Sequence, residues 1–288
     1  MHDKSFTLLN SCQLPAYEAI ISSVHNEEGR LFFIHRHGGR SKTFLWNTII
    51  SQIRAKSKIV LPVASSGIAT LLLPNGRTAH SRFYIPLDVT PESRCDIKQG
   101  IQLEDLLKKT CLIIWDEAPM ENKYCFEALD KSLRGINLDR YENSCDSPFG
   151  GLITVYGGDF RQILPVIPKG TRDHIVDAPL YSSNLWPYFS IYELKENMRL
   201  NCGRVMGSEA ERFATIDKWL LQIGDGSVYD DKKMELMNLS LDISIAPSHN
   251  QVESIVDAVD PSLLQKYNDL TYLKERAILT PKMKWFMI

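Results

Sequence analysis

The chain has 288 residues, 44% of them hydrophobic and 24% charged, with a formal net charge of −2. Such a composition builds an ordinary globular core of one large domain or two. It excludes a globally basic nucleic-acid-binding surface, so any nucleic-acid contact has to be local.

The six cysteines, Cys12, Cys95, Cys111, Cys125, Cys145 and Cys202, lie far apart and form no C-x-x-C pair. Neither a zinc motif nor a disulfide framework is signalled, and free thiols in a reducing compartment are expected. The first residues, MHDKSFTLLNSCQLP, lack the apolar run of a secretory signal. No stretch of about 18 apolar residues occurs, so no membrane span is expected.

In chain order, the first apolar run is Leu31-Phe32-Phe33-Ile34. Lys58 to Ala64, Cys111 to Trp115, Leu152 to Tyr156 and Ser190 to Leu194 follow, each about the length of a strand buried on both faces. Between the first two, Leu45, Trp46, Ile49, Ile50 and Ile53 recur on one helical face within Phe44 to Ile53. Strand, loop, helix, strand is a βαβ unit, and its repetition predicts an α/β fold with a parallel sheet flanked by helices. Asn137 to Ser147 reads as a polar surface loop. Phe213 to Ile223 reads as helix, Gly224-Asp225-Gly226 as a turn and Asp230 to Ser244 as poorly defined. Arg276-Ala277-Ile278-Leu279-Thr280 is expected to start a further strand.

The loop after the first strand, His35-Arg36-His37-Gly38-Gly39-Arg40-Ser41-Lys42-Thr43, stands between a strand and a helix. That is the place of a phosphate-binding loop, G-x-x-x-x-G-K-[ST], whose backbone N–H groups curl around phosphates. Lys42 and Thr43 are present, with Gly38 and Gly39 inside the loop, but Arg36 and Ser41 replace the two patterned glycines. The other reading of Lys42 and Thr43 is the first turn of an ordinary helix. Asp116 and Glu117 end the buried run Leu112 to Trp115, where two carboxylates serve to hold Mg2+ and polarise a water, or simply face solvent. Gly157-Gly158-Asp159-Phe160-Arg161-Gln162 follows the next strand; the paired glycines are expected to let the backbone turn tightly beside a ligand. A helix-capping Asp159 is the alternative.

Four ordered strings carry a resemblance: Val63 to Phe83 (VASSGIATLLLPNGRTAHSRF), LIIWDEAPM from Leu112, GGDFRQILPVIP from Gly157 and ENMRL from Glu196. Together they resemble the Pif family of ATP-dependent DNA helicases, in its plant and Helitron-transposon branch, from about Leu9 to Lys282. The resemblance implies a RecA-like P-loop NTPase domain over residues 1–200. Residues 201–288 are then a connecting helical segment and the stub of a second motor domain, which leaves the C-terminal portion incomplete. It implies ATP and Mg2+ as cofactors and single-stranded or forked DNA as partner, with roles in DNA repair, recombination and telomere maintenance. Neither a membrane nor a protein partner is expected. Nuclear residence is expected, with the mitochondrion as the alternative.

Residue by residue, the resemblance assigns Gln13 to adenine recognition. Gly38, Gly39, Ser41, Lys42 and Thr43 take the phosphates, and Thr43 and Asp116 the Mg2+. Glu117 is implied as catalytic base, Gln162 as the residue that senses the γ-phosphate and Arg199 as an arginine finger. Ser65, Ser66, Thr78, His80 and Ser81 are implied as DNA contacts, with Phe83 either stacking on a base or packing in the core. The loop departs from the family at Arg36, Arg40 and Ser41, and Met283 to Ile288 depart from the pattern of a second motor domain. An inactive helicase or transposon remnant, with weak nucleotide or DNA binding, is therefore the alternative function. A small-molecule P-loop kinase is disfavoured by the Ser65–Phe83 and Gly157–Pro168 strings.

Overall fold

The computed structural model describes residues 5–35, 41–98, 100–136, 145–195, 208–227, 244–245 and 248–278. Six strands form one sheet: β1 Leu31–His35, β2 Ile59–Ala64, β3 Arg77–Thr78, β4 Thr110–Asp116, β5 Ile153–Gly158 and β6 Phe189–Glu193. Every pairing is parallel, in the order β3-β2-β4-β5-β1-β6. The five apolar runs of the sequence all became strands. The two-residue strand β3 is too short to leave a periodic signal.

The sheet is central because its strands alternate two apolar faces. Phe32, Ile34, Leu112, Ile114 and Val155 face one side. There they pack against helix α1, Gln13–Asn26, and helix α2, Ser41–Ala55, which presents Leu45, Trp46, Ile49, Ile50 and Ile53. Leu31, Phe33, Ile113, Trp115 and Tyr156 face the other side. They pack there with helices α3, Gln102–Lys109, and α4, Lys123–Ile136, through Leu107, Phe126 and Leu129. Burial on both faces is why these strands read as continuous apolar runs rather than as alternating ones.

The chain divides into two compact units, Met1–Asp225 and Gly226–Ile288. Helix α5, Ser208–Gly224, belongs to the first unit, and Arg161 Nη2 pairs with Asp225 Oδ1 at 2.6 Å just beyond its end. The second unit contains the short helices Gln251–Val259, Leu263–Lys266 and Leu270–Lys274. The strand expected from Arg276 does not form over its described part: Arg276 to Ile278 have no regular structure. Arg276 instead lays its guanidinium over the Tyr272 ring, 4.0 Å from the centroid, and donates to the Tyr272 carbonyl. Most of the polar loop at 137–147 lies outside the described residues. No helix among the described residues is long and apolar enough to cross a membrane.

Candidate nucleotide-hydrolysis site

The order β4-β5-β1 puts the carboxyl ends of three strands side by side, where open parallel sheets bind ligands. Helix α2 starts from the end of β1 and brings Lys42 back over these ends. Lys42 is 7% exposed, and its Nζ lies 3.2 Å from Glu117 Oε1 and 3.5 Å from Asp116 Oδ1. Asp116 is 3% exposed, and its Oδ1 makes no hydrogen bond; neither does the buried Glu117 Oε2. Burial pushes the Glu117 carboxyl above the ordinary carboxylate range, Lys42 opposes this, and Asp116 and Asp159 add to the rise.

Glu117 also has a left-handed backbone, φ 53° and ψ 37°. A non-glycine residue in that region costs roughly 1–3 kcal/mol. The conformation turns the chain off β4 into the 3-10 turn Ala118–Met120, with Pro119 in its first turn, and aims Glu117 towards Lys42 rather than along the strand.

Between β4 and β1, beneath this ion pair, runs the end of β5. A Cβ on Gly157 would overlap the Trp46 ring and lie 3.4 Å from Asp116 Oδ1; one on Gly158 would overlap Pro119. The paired glycines therefore do not make a tight turn, as expected from sequence. They are buried strand residues, without positive φ, kept small so that Trp46 and Pro119 can close over them. The turn comes later: Gln162 N–H donates to the Asp159 carbonyl at 3.1 Å, and Asp159 Oδ1 accepts from Arg161 N–H at 3.0 Å. Asp159, 5% exposed, also faces His35 Nε2 at 3.7 Å. His35 ends β1, and it becomes a site neighbour only because β5 pairs with β1 in this register.

The remaining sequence-predicted residues divide clearly. Thr43 lies beside Lys42 in the first turn of α2, half-buried. Gln162 is exposed on the turn after β5. Gln13 is fully buried at the start of α1, where its Oε1 accepts from Asn10 N–H at 3.0 Å while Asn10 Oδ1 accepts from Gln13 N–H. Gly38, Gly39 and Arg199, with Arg36 and Arg40, lie outside the described residues, as does the side chain of Ser41.

The Ser65–Phe83 segment lies beyond β2. Ser65 Oγ accepts from the Trp115 indole N–H at 3.0 Å. Ser66 caps the short helix Gly67–Thr70 through Ala69 N–H, and Thr78 caps the short helix Ala79–Phe83 through Ser81 N–H. Phe83 is fully buried, with its ring centroid 6.2 Å from that of Trp115. The stacking reading of Phe83 is thereby corrected: the ring is core, because Trp115, Phe126 and Tyr156 form an aromatic cluster that it completes. His80 turns inward towards Glu121, with Nδ1 3.6 Å from Oε1. Sequence reasoning left out Arg77. With Ser81, Arg82 and Gln102 it lines a cavity of about 540 Å3. Arg82 is half-buried, its Nε makes no hydrogen bond, and burial and then Arg77 push its pKa down. Two guanidinium groups thus line one cavity in a chain of slightly negative net charge.

The model of PIF1-like helicases matches residues 8–234. The ATP-dependent DNA helicase Pif1 of Psychrobacter sp. (strain PRwf-1) is 30% identical over 199 residues, covering 68% of this chain and 28% of the relative. A crystal structure of Bacteroides sp Pif1 in complex with ADP-AlF4 superposes with a TM-score of 0.50 at 29% identity, over 64% of this chain and 42% of that one. A structure described as the basis for DNA unwinding at forked dsDNA by two coordinating Pif1 helicases gives a TM-score of 0.54 at 26% identity, over 67% and 45%. This chain spans less than a third of the length of the curated relatives it matches and about half that of the solved ones. Its parallel sheet flanked by helices is the RecA-like fold of those neighbours, and the chain belongs to the PIF1-like helicase family.

Proposed function

We propose that this chain is the first motor lobe of an ATP-dependent DNA helicase and hydrolyses ATP at the Lys42–Asp116–Glu117 cluster. The carrying observation is the buried Lys42 ammonium, which helix α2 brings against the buried Asp116 and the half-buried Glu117 at the carboxyl end of β4. Lys42 serves the terminal phosphates, leaving Asp116 and Glu117 as they engage. The orphaned Asp116 Oδ1 and Glu117 Oε2 are the kind of buried oxygens a divalent cation satisfies, so these residues fit Mg2+, with Asp116 and Thr43 as its holders. When bound, Mg2+ neutralises charge developing on the phosphates. Glu117, raised by burial, accepts the proton of the attacking water, and Gln162 orients that water from the turn after β5. Gln13 as adenine contact and Arg199 as arginine finger are part of this proposal.

DNA is assigned to the Ser65–Arg82 segment. Arg77 and Arg82 supply phosphate-binding charge, and Ser66, Thr78 and Ser81 supply short polar contacts at their cavity and caps. Ser65, half-buried directly after β2, is assigned to the same segment. A plant or Helitron-like branch is supported by the LIIWDEAPM and GGDFRQILPVIP strings, and nuclear residence goes with a chromosomal DNA substrate.

The second reading, an inactive relative that keeps the fold, is favoured by Arg36 and Ser41 in place of the loop glycines. Titration with fluorescent Mg2+-ATP separates the two readings. The natural chain, the Arg36→Gly/Ser41→Gly double variant and Lys42→Ala are compared. Binding by the natural chain that Lys42→Ala abolishes is the expected result. Binding by the glycine-restored variant alone would establish a nonfunctional natural site.

A further inference from the structure

Away from the nucleotide site, His80, Glu121 and Cys125 converge from three elements. His80 lies in the short helix Ala79–Phe83, Glu121 follows the turn Ala118–Met120, and Cys125 lies in the first turn of α4. His80 Nδ1 is 3.6 Å from Glu121 Oε1. Cys125 Sγ is 3.8 Å from Glu121 Oε2 and 4.0 Å from His80 Nε2. These spacings are long for strong hydrogen bonds. They approach the ligand-to-ligand edges, roughly 3.3–3.8 Å, of a tetrahedron with bonds of about 2.0–2.3 Å to N, O and S donors. The ligand atoms all fall within 4.8 Å of one another, and rotation of the imidazole selects which nitrogen faces the centre.

We propose that His80, Glu121 and Cys125 form a binding site for a single thiophilic divalent cation of the zinc class. One imidazole nitrogen, one carboxylate oxygen and one thiolate are a donor set that such ions accept, with a fourth position left for water. That position opens onto a cavity of about 390 Å3, lined also by Asp88, Asn122 and Val166. Burial lowers the His80 pKa, favouring the neutral ligating imidazole, raises Glu121 to about 7 and raises the Cys125 thiol further. Metal binding would displace the proton from the thiol, as coordination does elsewhere. The bound ion would clamp the Thr78–Arg82 segment to the chain leaving β4, four residues beyond Glu117, and so join the proposed DNA surface to the proposed catalytic carboxylate.

The same trio also has the order of a thiol–imidazole–carboxylate relay. Cys125 is only 2% exposed, which does not suit an open nucleophile.

The test is titration of the full reduced chain with Co2+, followed by absorption, and then competition with Zn2+. One Co2+ per chain with a thiolate-to-cobalt charge-transfer band is expected. Zn2+ should abolish the band, and it should be absent in Cys125→Ser. Glu121→Gln, nearly isosteric, should retain the fold by circular dichroism and weaken Co2+ binding at least tenfold. No band in the natural chain, or an undiminished band in Cys125→Ser, would overturn the site. So would an unchanged affinity in folded Glu121→Gln. Fast alkylation of Cys125 in the folded, metal-free chain would identify a nucleophile instead.

Discussion

The Lys42 ammonium lies 3.2 Å from Glu117 Oε1 although 75 residues separate the two in sequence. The pair spans β5, and it forms because β4 and β1 flank that strand and α2 folds back over their ends. One ammonium offsets part of the repulsion between two neighbouring carboxylates.

Replacing Lys42 with Ala therefore has two effects. It removes the proposed phosphate ligand and leaves Asp116 and Glu117 uncompensated. Breaking a buried pair on one side costs about 3 kcal/mol. Urea unfolding should show that loss at neutral pH, and the nucleotide titration should show no saturable binding. A variant as stable as the natural chain would mean that the Lys42 pair is not held in solution.

Glu117→Gln keeps the shape and removes the proposed proton acceptor. Loss of general-base assistance should reduce ATP turnover by about 10^2–10^4-fold with nucleotide affinity retained. Phosphate release and fluorescent-nucleotide binding, measured on one preparation, distinguish this from a binding defect. Equal losses in both would assign Glu117 to binding alone.

Gly158→Ala places a methyl group onto Pro119. The proline cannot yield without moving Glu117, whose backbone is already left-handed. Overpacking of this kind costs about 1–3 kcal/mol. A melting temperature lowered by several degrees is expected, together with reduced ATP turnover. An unchanged melting temperature would contradict the close approach of β5 to this turn.

Arg77→Gln tests the cationic cavity. Binding of single-stranded DNA weakens with salt by about 0.7 in log–log slope for every phosphate that a cationic side chain neutralises. Without the Arg77 guanidinium the slope should be shallower by about that amount. Fluorescence anisotropy should also show weaker binding that is uniform across sequences. The same slope as the natural chain would place the DNA path elsewhere.

Thiol labelling checks the fold independently of ligands. Cys145 is exposed, whereas Cys95, Cys111 and Cys125 are buried, and burial holds the Cys95 thiol up at about 12. Peptide mapping after iodoacetamide should find Cys145 modified in the native chain. Cys95, Cys111 and Cys125 should react only after denaturation.

Local patterning was enough for the five longer strands and for the chemistry at their ends. Apolar runs such as Leu112 to Trp115 can only be buried, and the 3.6-residue spacing of Leu45, Ile49 and Ile53 can only face a core. Asp116 and Glu117 were visible because two acidic residues close an otherwise apolar run. Other features depend on strand order and on close approach, neither of which leaves a local pattern. Gly157 and Gly158 are small because Trp46 and Pro119 lie over them, which no neighbouring residue in sequence records. Phe83 is core because the cluster of Trp115, Phe126 and Tyr156 leaves a place for it. His80, Glu121 and Cys125 meet across 45 residues, through the parallel pairing that puts β2 beside both β3 and β4. Periodicity reports whether a side chain is buried; the packing of the whole sheet decides what it is buried against.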